Sequence, residues 1–101
     1  MPILFEYMGI IIYFYSNEHD PIHVHGKYQG RESKAEIIIR EGIVEEVRLR
    51  GVRGKRPLEA AQLRDFEILV NNYSEDIVRL WIDYFVLNLR VDKKVITRRI
   101  R

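Results

Sequence analysis

The chain has 101 residues, a mass of 12.1 kDa and a formal net charge of +2, and its 47% hydrophobic content is typical of one domain, residues 1–101, with a single core. The absence of cysteine excludes disulfides, thiolate metal sites and a cysteine nucleophile, so any catalysis has to use nitrogen and oxygen groups. We expect a cytoplasmic protein, because we identify neither a signal peptide nor an apolar run of the ~20 residues that a membrane helix needs.

The first half of the sequence predicts a meander of four antiparallel strands. Turn-forming residues separate four segments that are rich in β-branched and aromatic residues, namely residues 10–15, 22–28, 34–40 and 43–50. Every position of the first segment is apolar or aromatic, which favours a central strand covered on both faces. In the fourth segment we expect Ile43, Val47 and Leu49 to face the core and Val44 to point away from it.

The second half predicts two helices. Residues 58–71 carry apolar side chains at helical spacing, and Ser74 with the acidic residues after it predicts the N-cap of a helix over residues 75–89. The apolar arc of this second helix is wide, so the helix is either sandwiched between elements or contributes one stripe to a partner chain. Residues 91–100 fit either a short edge strand or an ordered tail. We therefore predict an α+β fold, with an antiparallel sheet of about four strands followed by two helices packed on one face.

The two halves of the chain differ in the sign of their charge. Residues 1–47 carry a net charge of −4 and residues 48–101 a net charge of +6. Clustered cations favour phosphate groups or an acidic partner, although a solvated loop and a basic tail explain the pattern equally well. The residues that we predict to bind nucleic acid are Arg48, Arg50, Arg53, Lys55 and Arg56. A second basic cluster lies between Lys93 and Arg101.

All three histidines lie within seven residues, in the segment Glu18-His19-Asp20-Pro21-Ile22-His23-Val24-His25. Alternation along residues 22–28 places His23 and His25 on the face opposite Ile22 and Val24. Three interpretations stay open. The imidazoles bind a metal together with a nearby carboxylate, or they transfer protons on a phosphodiester beside cationic side chains, or they have a structural role as hydrogen-bonding and packing groups. The two chemical interpretations require imidazoles that lie uncovered, and the phosphodiester interpretation also requires guanidinium groups in the same pocket.

The tyrosines of the first half also have two interpretations. Tyr13, Tyr15 and Tyr28 either stack on unpaired bases or fill the core and edges of the sheet. The sequence contains no glycine-rich phosphate loop, because the segment Gly51-Val52-Arg53-Gly54-Lys55 lacks the required spacing and the hydroxyl residue after the lysine.

Together these residues resemble a known family. The aliphatic and aromatic run at residues 9–15, the histidine segment at residues 17–25, Tyr28, and the tract from Leu58 to Phe85 are similar to the small prokaryotic domain of unknown function DUF4160. The hallmark of that family is an acidic residue followed by His-x-Pro-x-His, a hydrophobic residue and a third His. This chain carries Glu18 where members of the family often have Asp.

The resemblance implies a toxin-like protein that is paired with a small antitoxin protein, and it implies active positions at Glu18, His19, His23 and His25. We expect the protein to act on nucleic acid, with RNA as the expected target and RNA cleavage by the histidine cluster as the expected activity, with Glu18 orienting His19 and with no cofactor. One alternative is a non-catalytic regulator that binds nucleic acid or protein, with a homodimer through the helix at residues 75–89. Another alternative is a metal-dependent hydrolase with histidine ligands.

Overall fold

The computed structural model describes residues 2–15 and 21–100, and these residues form a mixed sheet with two helices, which confirms the α+β class. The strands are β1 (Ile3–Tyr7), β2 (Ile10–Tyr13), β3 (His23–Tyr28), β4 (Arg31–Arg40), β5 (Ile43–Gly51) and β6 (Lys94–Ile96). The helices are α1 (Ala60–Asn72) and α2 (Ser74–Trp81), and α2 continues into a π-helical segment at Ile82–Val86.

The sheet is larger than the sequence predicts. Its order is β5-β4-β3-β2-β1-β6, and the first five of these strands form an antiparallel meander. Two strands were missing from the predicted meander. One is β1, whose apolar run contains the charged Glu6, and the other is β6, which pairs in parallel with β1. Parallel pairing links strands that are far apart in sequence, so no local turn signals it. For residues 91–100 the structure shows the edge-strand alternative.

Three two-residue turns set the register of the meander. Each turn has a glycine at its second position and positive φ at both positions, and the three are Met8-Gly9, Gln29-Gly30 and Glu41-Gly42. This conformation is the type I′ turn, whose twist matches that of the strands it joins. Because each turn has only two residues, the two strands that it joins are directly aligned across it.

A bulge between β4 and β5 changes which side chains of β5 face the core. The register shifts between Ile38 and Ile39, so that Val44 pairs with Ile39 and Glu46 pairs with Ile38. As a result Val44 packs against the core, whereas Ile43 is 70% exposed. The prediction for Ile43 and Val44 was therefore wrong, since an extra residue in one strand reverses the alternation beyond it.

The helices cover one face of the sheet. Buried residues of β2, β3 and β4, among them Ile12, Val24 and Ile37, form one core with residues of α1 and α2 such as Phe66 and Trp81. The opposite face carries the alternate residues of the same strands. It is the polar face of the sheet, and it includes His23, His25, Lys27, Glu32 and Lys34.

The start of α2 differs from the prediction. Its N-cap is Tyr73, which makes no side-chain capping bond, and the hydroxyl of Ser74 donates instead to the carbonyl of Asn71 (3.4 Å). The helix follows α1 almost directly, so Ser74 already lies in its first turn. No helix in the described part of the chain has both the length and the apolar character needed to cross a membrane.

Candidate functional site

His23 and His25 both belong to β3, and their side chains lie next to each other on the polar face of the sheet, with ring centroids 5.3 Å apart. They are not uncovered, as the chemical interpretations required, because their exposed fractions are only 7% and 3%. Aromatic rings bury them. The ring of His25 lies 4.2 Å from that of Tyr15 and 5.5 Å from that of Tyr13, and the ring of His23 lies 5.6 Å from that of Trp81.

The two histidines have different hydrogen-bond partners. The Nδ1–H of His23 donates to the backbone carbonyl of Pro21 (2.8 Å), which ties the ring to the start of its own strand. The Nδ1 of His25 lies 3.1 Å from Oε2 of Glu32, a carboxylate whose side chain is 8% exposed. A carboxylate on Nδ1 orients the imidazole and stabilises its protonated form. His25 therefore has the surroundings of a proton-transfer group.

Glu32 is the centre of this network. Its Oε2 also accepts a hydrogen bond from the hydroxyl of Tyr15 (2.8 Å), and the hydroxyl of Tyr13 donates to that of Tyr15 (3.5 Å). Burial by itself would raise the pKa of the Glu32 carboxyl, but the hydrogen bonds from the two tyrosines and the neighbouring His25 hold this pKa below its ordinary value. Burial, and then the same hydrogen bonds, raise the pKa of Tyr13. The network therefore has an ionised Glu32 carboxylate and a neutral Tyr13 phenol at neutral pH.

Sequence reasoning missed Glu32, because it assigned this residue to the turn after β3. The turn consists of Gln29 and Gly30 alone, so Glu32 already belongs to β4 and pairs with Lys27. His25 pairs with Lys34, which places Glu32 diagonally across from His25 on the same face. If Gln29-Gly30 is read as a two-residue turn, the strand pairing that follows places Lys27 opposite Glu32, and the sequence then predicts Glu32 beside His25.

The network borders a cavity of about 540 Å³. Tyr13, Tyr15 and Glu32 contribute to its wall, together with the cationic side chains of Lys27, Arg31 and Lys55. His25 is not among the lining residues. It lies behind the cavity wall, where it contacts the lining residues Tyr15 and Glu32.

The basic loop at residues 52–57 is attached to β4 next to Glu32. The backbone N–H of Glu32 donates to the carbonyl of Arg56 (2.9 Å), and the guanidinium of Arg31 donates to the carbonyl of Pro57 (3.2 Å). The Oγ of Ser33 accepts from the N–H of Leu58 (3.0 Å). Glu32 therefore joins the two predicted regions, since its side chain contacts His25 and its backbone holds the loop.

The predicted phosphate-binding residues lie in different places. Lys55 lines the cavity, whereas Arg53 and Arg56 are exposed on the loop and are not among the lining residues. Arg48 forms an ion pair with Glu46 (2.8 Å) and Arg50 one with Glu36 (3.2 Å), and both arginines lie on β5, which β4 and β3 separate from β2. The structure brings Lys55 to the network and leaves the arginines of β5 in surface ion pairs.

The predicted active residues Glu18 and His19, and also Asp20, lie outside the described residues. Among residues 2–15 and 21–100, no three side chains of the types that hold metals form a group suited to a metal ion. The predicted metal site that uses His19 or its neighbouring carboxylates thus involves positions that the structure does not describe.

The Glu32 network leads to a prediction about acid stability. A carboxyl whose pKa is lowered by folding stabilises the protein above its unfolded pKa of about 4.3, and this contribution is lost as the pH falls through the folded pKa. We expect Glu32→Gln to lower the free energy of unfolding by about 1–3 kcal/mol at pH 7, and the difference from the wild type to shrink below pH ~4. Urea denaturation at pH 7 and pH 3.5 measures both values.

The matched control is Glu46→Gln, because the side chain of Glu46 is 44% exposed and its ion pair with Arg48 lies on the surface. This control should change the free energy of unfolding by less than about 1 kcal/mol at either pH. An equal loss for Glu32→Gln at pH 7 and pH 3.5 would show that the charge of Glu32 does not stabilise the fold.

A family model described as a domain of unknown function (DUF4160) matches residues 9–82. The matched range includes β2 to β5, the basic loop, α1 and α2, and it therefore contains every residue of the network and the cavity named above. The comparisons with curated proteins and with solved structures found no match. The family resemblance predicted from the histidine segment is confirmed.

Proposed function

Since the chain belongs to the DUF4160 family, whose description assigns no activity, we propose that the protein is an RNase on the geometry of its site and a toxin on its resemblance to that family. The observation that carries this proposal is the pair of His25 and Glu32 beside a cavity with three cationic side chains. An imidazole held by a carboxylate transfers protons near neutral pH, and nearby cations stabilise the charge that develops on a phosphate.

In this proposal, cleavage needs only the RNA and the protein. The 2′-oxygen attacks the adjacent phosphorus and gives its proton to the pair through Glu32, whose carboxylate lines the cavity while the buried His25 lies behind it, and the bond between phosphorus and the 5′-oxygen breaks. The pair returns the proton to the leaving 5′-oxygen, so the products are a 2′,3′-cyclic phosphate and a 5′-hydroxyl. Lys27 and Lys55 stabilise the extra negative charge on the phosphate during the transfer.

The test of this proposal is incubation of the purified protein with total RNA and with an end-labelled single-stranded oligonucleotide. We expect discrete fragments with cyclic phosphate ends, and no cleavage of an oligonucleotide of the same sequence with deoxyribose, which lacks the attacking hydroxyl. Chelator in a parallel reaction separates this mechanism from a metal-dependent hydrolase, because the proposed step uses no metal. Intact RNA under all conditions would contradict the RNase activity.

A second candidate is a regulator that binds nucleic acid without cleaving it. The low exposure of His23 and His25 favours this candidate, since buried imidazoles packed against aromatic rings are typical of a structural role. A pure binder would retain the oligonucleotide intact and lose affinity steeply as the salt concentration rises. The cleavage assay and a binding titration at two salt concentrations therefore distinguish the two candidates.

The partner predictions belong to the same proposal. Beyond α2, large apolar side chains are exposed to between 42% and 65%, namely Ile82, Val86, Leu87 and Leu89. Exposed apolar side chains in one segment support a protein interface, either with a small antitoxin protein or with a second copy of the chain. We propose that the protein acts in the cytoplasm together with such a partner.

A further inference from the structure

The cavity beside the histidine network has the size and the chemistry of a nucleotide site. Its volume of about 540 Å³ lies within the range of about 300–1,000 Å³ that is typical of small-ligand pockets. It combines aromatic rings with cationic side chains, which are the two features that bases and phosphates need.

We propose that this cavity binds one nucleotide of a single-stranded nucleic acid, with the base against Tyr28 and the phosphate at Lys27 and Lys55. The inference rests on the proposed action on nucleic acid and defines its substrate class. A base reaches an aromatic ring only when it is unstacked, so a single strand enters the cavity and a duplex does not.

The assignment of the phosphate depends on which cations are already paired. Arg31 lies 3.3 Å from Oε1 of Glu59 and also donates to the carbonyl of Pro57, so its guanidinium already has partners. Lys27 and Lys55 take part in none of the ion pairs found within the described part of the chain, and both are exposed at the cavity. The Nζ of Lys27 lies over the ring of Tyr13, 5.3 Å from its centroid, and this contact leaves its N–H groups without a carboxylate among the described residues. These two lysines are therefore the groups available to an anion.

The carboxylate of Glu32 also lines the cavity, and its charge opposes the binding of an anion. Glu32 is only 6% exposed, however. Its Oε2 accepts a hydrogen bond from the hydroxyl of Tyr15 and contacts the Nδ1 of His25. The Oε2 atom of the carboxylate is thus engaged by Tyr15 and His25, whereas the ammonium groups of Lys27 and Lys55 face solvent.

Tyr28 provides a fixed aromatic surface for the base. It is half-buried against the core, and Gly9 lies against its ring so closely that a Cβ at Gly9 would be 2.9 Å from Cε1 of Tyr28. One side of the ring is thereby held by the β1–β2 turn while the residue lines the cavity. A preorganised ring loses little conformational entropy when a base stacks on it.

The first experiment is isothermal titration calorimetry of the protein with adenosine 5′-monophosphate, adenosine and inorganic phosphate. We expect the monophosphate to bind at least tenfold more tightly than either of the other two. The double variant Lys27→Ala and Lys55→Ala should lower its affinity at least tenfold, whereas Arg64→Ala, which removes an exposed charge on α1, should leave it unchanged. Equal affinity for the monophosphate and adenosine, or an equal loss in Arg64→Ala, would overturn the phosphate assignment.

The second experiment tests the stacking ring. Tyr28→Phe keeps the ring and should retain the affinity for adenosine 5′-monophosphate within about twofold, whereas Tyr28→Leu should lower it at least fivefold. Thermal unfolding of both variants verifies that they are folded. Unchanged affinity in a folded Tyr28→Leu would overturn the assignment of the base to Tyr28.

These measurements are independent of cleavage, because a mononucleotide has no linkage to cleave. Binding of the monophosphate together with intact RNA would contradict the RNase activity alone. Cleavage of RNA without nucleotide binding in the cavity would overturn the subsite alone.

Discussion

Replacement of His25 by alanine is expected to lower the rate of RNA cleavage at least 100-fold, because general acid–base catalysis by a positioned imidazole typically contributes 10²–10⁴-fold. His25 has a carboxylate partner in Glu32, at 3.1 Å, and Glu32 lines the cavity while His25 lies directly behind it. The measurement is the rate of cleavage of a labelled single-stranded RNA between pH 5 and pH 8.

Two further variants separate catalysis from packing. His25→Gln keeps an amide donor for Glu32 but cannot transfer a proton, so it should be as inactive as His25→Ala while losing less stability. His23→Phe should retain most of the activity. The ring of His23 packs against Trp81, a contact that phenylalanine can keep, and its Nδ1–H donates a hydrogen bond to the carbonyl of Pro21. If His25→Gln cleaves RNA at the wild-type rate, His25 has only a structural role.

Much of the sheet is predictable because the turns are local. Gln29-Gly30 and Glu41-Gly42 identify two of the three hairpins, and alternation in β3 places Val24 in the core and the histidines on the other face. The bulge at Ile38 and Ile39 is not visible in the pattern, since aliphatic residues occupy both faces there. The pairing of β6 with β1 depends on where the helices end, and this is a property of the packed fold.

The site is predictable only in part, and the reason is also physical. The histidine segment is a local signal, but the partner of His25 comes from the next strand, and an error of two residues in the turn concealed Glu32. Between them, the two imidazoles pack against the rings of Tyr13 in β2, of Tyr15 just after β2 and of Trp81 in α2, and the placement of these rings requires the tertiary structure. The position of Lys55 at the cavity likewise depends on the attachment of its loop to Glu32.

Substitution of Gly26 by alanine is expected to produce one of the largest losses of stability in the chain. Gly26 lies between His25 and Lys27, but on the face of β3 that packs against α1. A Cβ at this position would lie 2.7 Å from Cε1 and 2.8 Å from Cδ1 of Phe66, whose ring is fully buried. Overpacking of this kind typically costs about 1–3 kcal/mol, and for a domain of this size it lowers the melting temperature by roughly 10 °C. Thermal unfolding followed by circular dichroism measures the shift.

The cause is tested by giving the new methyl group space. Phe66→Leu removes the ring atoms nearest to Gly26 and should itself be destabilising, because it leaves a void in the core. If the clash is the mechanism, the double variant Gly26→Ala and Phe66→Leu will be more stable than the sum of the two single losses predicts, by about 1 kcal/mol or more. Additive losses would show that Phe66 does not limit this position. Since His25 and Lys27 flank Gly26, recovery of stability in the double variant should be accompanied by recovery of nucleotide binding in the cavity.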